Sequence, residues 1–129
     1  NQWFYFGNDS LMRTGWIFVD QQWFYLNPVS DGTKGAMKTG WIFADNHWFY
    51  LNPVSDGTKG AMKTGWTFVD NGWYYLNPVS DGTRGAMKTG YEYINGKWHY
   101  LDKQTGILWT NRQTPDGRFA DRNGALSAR

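Results

Sequence analysis

Residues 39–66 read TGWIFADNHWFYLNPVSDGTKGAMKTGW, a stretch that ends on the three letters it began with. Thr-Gly-Trp closes at Trp16, Trp41 and Trp66, and Thr-Gly-Tyr closes at Tyr91, a spacing of 25 residues each time. Seven positions after each comes a second Trp, at Trp23, Trp48, Trp73 and Trp98, opening the triplets W-F-Y, W-F-Y, W-Y-Y and W-H-Y. A period of this length is the mark of a stacked-repeat architecture, in which a unit buries its apolar face only against its neighbours. Residues 3–16 are the same unit shortened by five. Near the other end Gly106-Ile107-Leu108 replaces Gly-Ala-Met, Arg112 falls where a Trp should stand, and Phe119 is read at the second Trp position. The organisation expected is therefore repeats over 1–111 and a degenerate capping unit over 112–129.

Each unit predicts a β-hairpin. The stretch from Trp41 to Ala44 and the stretch from Trp48 to Asn52 are rich in aromatic and β-branched residues, and Asp45-Asn46-His47 lies between them. Asp70-Asn71-Gly72 and Asn95-Gly96-Lys97 recur at the same place, and such residues between short strands signal a hairpin turn. The following Asn-Pro and Asp-Gly segment reads as a loop. One hairpin cannot hold itself together in water, so successive hairpins must stack, giving an all-β solenoid of about five rungs.

Composition agrees and excludes much else. The chain of 129 residues carries 9 Trp, 8 Tyr and 8 Phe, more rings than its Leu, Ile and Val together, so its apolar surface is mostly aromatic. It has no Cys, which removes disulfides, thiolate metal sites and a cysteine nucleophile. No apolar run approaches the ~18 residues of a membrane span. The N-terminus lacks a signal-peptide pattern, which reads as a fragment of a larger protein.

Residues two apart on a strand share a face. In every triplet the first residue is Trp and the third is Tyr, whereas the middle one varies among Phe4, Phe24, Phe49, Tyr74 and His99. Two Trp of one hairpin and a Tyr of the next, converging between rungs, would form an electron-rich box without formal charge. Such a box suits a quaternary ammonium, which cannot donate a conventional hydrogen bond. Each ring contributes roughly 0.5–2 kcal/mol, so one box binds at about millimolar strength and useful attachment needs several.

The pattern G-W-x6-W-x-Y-L…G-A-M-K-T-G-W resembles the choline-binding repeat of surface proteins of pneumococcus-like bacteria and of their phage lysins. The resemblance runs from Trp3 to about Leu108. It implies a left-handed solenoid of stacked β-hairpins that holds choline or phosphocholine of teichoic and lipoteichoic acids at the outside of the cell. It also implies cages at Trp16, Trp23 and Tyr50, at Trp41, Trp48 and Tyr75, and at Trp66, Trp73 and Tyr100. Met37, Met62 and Met87 are the expected apolar contacts, and no cofactor is implied beyond the choline ligand. A fourth cage is expected to be incomplete, since Tyr91 replaces a Trp and Asp121 matches the next Tyr position. A ligand-linked homodimer through the terminal rungs is a further expectation.

Two other classes share some of these features. Glucan-binding repeats also use aromatic hairpins, but sugars stack on open rings amid polar groups. A structural or adhesive surface repeat would use its rings for stacking only. Lys38, Lys63 and Lys88 recur in register and read as a solvated face. Asn27, Ser30 and Asp31, with their copies, read as a turn rather than a calcium loop. Glu92 is the one Glu in the chain, and no nucleophile elbow, phosphate loop or zinc motif is present, so a binding module is expected rather than an enzyme. A net charge of +2 is too small for a nucleic-acid platform.

Overall fold

Two consecutive residues with positive φ turn each strand back on its partner. Asp45 and Asn46 stand at φ 52° and 66°, and Asp20–Gln21, Asp70–Asn71 and Asn95–Gly96 repeat the pair. This is the two-residue type I′ geometry, whose twist matches that of the strands, and Asn, Asp and Gly enter it at least cost. The computed structural model describes residues 3–5 and 13–128. Its strands are β1 (Gly15–Val19), β2 (Gln22–Leu26), β3 (Gly40–Ala44), β4 (His47–Leu51), β5 (Gly65–Val69), β6 (Gly72–Leu76), β7 (Gly90–Ile94), β8 (Lys97–Leu101), β9 (Arg112–Gln113) and β10 (Phe119–Ala120). They pair consecutively into two-stranded antiparallel sheets. There is no helix among the described residues. The all-β hairpin-repeat class expected from the 25-residue period is the observed one.

The loop after each hairpin is closed by a buried asparagine. Asn52, 1% exposed, donates from Nδ2 to Asp56 Oδ1 at 3.0 Å and to Thr58 Oγ1 at 2.8 Å, while its Oδ1 accepts from Val54 N. Asn27 and Asn77 repeat the arrangement. Hydrogen bonds from the Thr side chain and backbone hold the carboxyls of Asp31, Asp56 and Asp81 below the usual range. These residues therefore build a turn, as the sequence suggests, and no cluster of three potential metal ligands occurs among the described residues.

The chain divides into two compact units, Asn1–Lys63 and Thr64–Arg129. In the first, the loop leading out of one hairpin lays its Met on the hairpin before: Met62 N donates to Trp23 O at 2.8 Å. In the second, Leu108 N bonds Trp73 O and Leu126 N bonds Trp98 O, each at 2.8 Å. The most enclosed core residues recur once per hairpin: Leu26, Leu51, Leu76 and Leu101, then Ala120, none more than 2% exposed. The Trp rings are a different population. Trp23, Trp73 and Trp98 are 38%, 44% and 43% exposed, so these indoles stand at the surface, whereas Phe49 and Tyr100 are buried.

Candidate functional site

Strand register decides which rings share a face. Trp16 pairs across the ladder with Tyr25, and Phe18 with Trp23, so these four occupy one face of the first hairpin and Ile17 and Phe24 the other. Trp16 and Trp23 are diagonal neighbours with centroids 6.5 Å apart and planes at 86°. In the second unit Trp66 and Trp73 repeat this corner at 6.5 Å and 87°. Two perpendicular indoles at that spacing form two walls of a niche. Phe18 and Phe68 stand at 5.1 Å from the second Trp of their hairpins and extend its outer edge.

The third wall comes from the next hairpin, and it is the middle residue of the triplet. Phe49 meets Trp16 edge-on at 4.9 Å, and His99 meets Trp66 at 5.2 Å. Tyr50 belongs to the opposite face of its strand, paired with Trp41 at 4.9 Å, and Tyr100 packs at 4.6 Å against Tyr91. The physical reason is the direction of stacking. Within each unit the ring face of one hairpin looks at the back of the next. Strand alternation alone groups Tyr with Trp but says nothing about which face the neighbour presents.

The backbone N of Met62 donates to Trp23 O and that of Leu108 to Trp73 O, and Leu108 lines the recess that holds Trp66 and Trp73. Met37 bonds Trp3 in the same way and lines a recess with Trp3, Phe4, Phe24 and Leu26. Trp41 and Trp48 lie in the second hairpin, where Trp48 stacks at 5.2 Å on Phe43. Tyr75 pairs with Trp66 at 5.0 Å, and Met87 bridges Leu76.

The two niches differ in charge. Trp16 Nε1 donates to Asp45 Oδ2 at 3.2 Å, which places a carboxylate at the rim of the first. Asn95 holds the matching turn position in the β7–β8 hairpin. The recess of about 350 Å³ there is lined by Trp66, Trp73, His99, Leu108, Thr110, Arg122 and Asn123. Burial lowers the pKa of His99, whose Nδ1 is enclosed without a hydrogen-bond partner.

The last hairpin is offset from the sequence reading. Ser127 N bonds Phe119 O as Trp109 N bonds Tyr100 O, and Ala120 bridges Leu126 as Leu101 bridges Leu108. Phe119 therefore matches Tyr100, not the second Trp, and Arg118 matches His99. Backbone bonds between rungs set this register, and letter spacing across a shortened hairpin does not.

Perpendicular ring corners repeated on hairpins define a ligand-binding repeat module. The comparisons agree: a choline-binding repeat model matches residues 64–112, and a cell wall binding repeat model matches 14–28 and 39–53. The choline binding domain of Spr1274 from Streptococcus pneumoniae is 35% identical, with 70% of this chain and 96% of that one covered at a TM-score of 0.56. Choline binding protein F of Streptococcus pneumoniae is 42% identical, with 98% of this chain and 38% of that one covered, at 0.79. CbpJ from Streptococcus pneumoniae TIGR4 is 39% identical at the same coverage and TM-score. Among curated protein sequences none matches. The chain belongs to the choline-binding repeat family.

Proposed function

We propose that this chain is a non-catalytic attachment module that holds the trimethylammonium group of choline and phosphocholine in its ring-lined niches. Trp16, Trp23 and Phe49 with Met62 form one, and Trp66, Trp73 and His99 with Leu108 form another. What supports the reading is the recurrence of one indole corner, at the same spacing and angle, in both units. A quaternary ammonium is drawn to such faces without a hydrogen bond, and a carboxylate at the rim adds attraction. Its natural partners are the choline-decorated teichoic and lipoteichoic acids of a Gram-positive surface, which puts the module outside the cell. Residues 112–129 serve as its capping unit, and ligand-linked dimerisation is part of the same proposal.

Calorimetric titration with choline tests it. The expected result is several weak sites, each about millimolar, with one equivalent lost in Trp16→Ala and no heat from dextran. A folded chain that takes up dextran but releases no heat with choline would sink the proposal in favour of a glucan module.

A further inference from the structure

In the β7–β8 hairpin the register positions of Trp16 and Trp23 are held by Tyr91 and Trp98, and one cation lies near both rings. Leu126 N bonds Trp98 O as Met62 N bonds Trp23 O, and Leu126 lines one recess with Trp98 and Arg118. Its third wall is not a ring. The position held by Phe49 and His99 is held here by Arg118, whose guanidinium carbon lies 5.0 Å from the Tyr91 ring centroid and 5.7 Å from that of Trp98. A cation over those two rings is where the ammonium of a choline would sit.

The rest of the surroundings fix it there. Arg118 Nε and Nη2 lie 2.9 and 2.8 Å from Asp116 Oδ2, and the two side chains are only 13% and 15% exposed. Asp116 accepts from Thr114 Oγ1 at 2.7 Å, and its backbone N donates to the Tyr91 hydroxyl at 3.0 Å. The Asp116 backbone is thus tied to the ring wall that the guanidinium covers. Together the pair presents a cation on rings with an anion beside it, the charge pattern of a phosphocholine.

We infer that the Tyr91–Trp98 corner is a latent quaternary-ammonium site, occupied in cis by Arg118 and closed to choline for that reason. An intramolecular ligand acts at an effective concentration that a free ligand of millimolar affinity does not match. A choline entering the corner must also expel a like charge and break its ion pair with Asp116. Arg118 ends the ligand-binding array without a ligand.

This rests on the choline reading above, and the test separates the two. Replacing the cation by the ring found at Phe49, in Arg118→Phe, should raise the number of choline equivalents by one relative to wild type. In wild type, the Arg118 Nε–H resonance should stay at its ring-shifted position through a choline titration that saturates the other niches. An Arg118 signal that moves to the free-arginine position overturns the inference. So does a folded Arg118→Phe chain that binds no more choline than a wild type that does bind. Wild type giving no heat at all overturns the choline reading, while the resonance position still reports whether Arg118 occupies the corner.

Discussion

At His99 an imidazole takes the place that a phenyl ring holds at Phe49, and charge becomes a variable of the niche. Burial disfavours the imidazolium most, and the Lys97 ammonium adds to that; a backbone hydrogen bond at Lys97 and the Asp121 carboxylate act the other way. Glu92 faces His99 across the ladder, and Arg122 lines the same recess. The net effect is a folded-state pKa below the usual 6.5. Between the folded and unfolded values the unfolded chain binds more protons. The stability due to neutral His99 is therefore full above about pH 6.5 and declines as pH falls toward the folded value. A protonated ring also repels the ammonium it would enclose. Choline affinity at Trp66–Trp73 should be lower at pH 5 than at pH 8, and His99→Phe should remove that difference. An unchanged pH profile in His99→Phe, read by calorimetry at both pH values, would show that another group is responsible.

At the scale of the hairpin and its loop, two glycines that look alike in sequence do different work. Gly57 and Gly60 both have positive φ, +95° and +88°. A methyl added at Gly57 meets open space, whereas one at Gly60 runs into the side chain of Met37. Gly57→Ala should therefore cost only backbone strain, roughly 1–2 kcal/mol. Gly60→Ala must in addition displace Met37, and overpacking adds about 1–3 kcal/mol. Urea unfolding of the two variants measures the gap. Equal losses would mean that Met37 swings aside freely and is not held on the next loop. The hairpin turns show the same economy of residue choice, since Asp45–Asn46 and Asn95–Gly96 suit positive φ and Gln21 at +65° does so poorly.

For the molecule as a whole, a net charge of +2 gives little long-range attraction to an anionic polymer. Retention on a choline-bearing surface should depend on the niches, several engaged at once, and avidity from linked weak sites commonly reaches 10²-fold or more. The chain bound to choline-derivatised resin should resist about 1 M salt, which screens surface charge to roughly 3 Å, and should elute with free choline. Elution by salt alone would assign the binding to the recurring lysines Lys38, Lys63 and Lys88 instead.

The sequence by itself determined the hairpins, their turns, the loops between them and the strand positions of the recurring Trp. All of these depend on residues close along the chain, at a period printed four times in the letters. Only the tertiary structure decided what closes each niche. Phe49, His99 and Arg118 reach it from the following hairpin, through a back face that strand alternation does not address. The register of the last hairpin is likewise set by bonds from Trp98 and Phe119 to Leu126 and Ser127. Contacts between rungs are long-range, and a shortened repeat shifts its letters without shifting the hydrogen bonds that hold it.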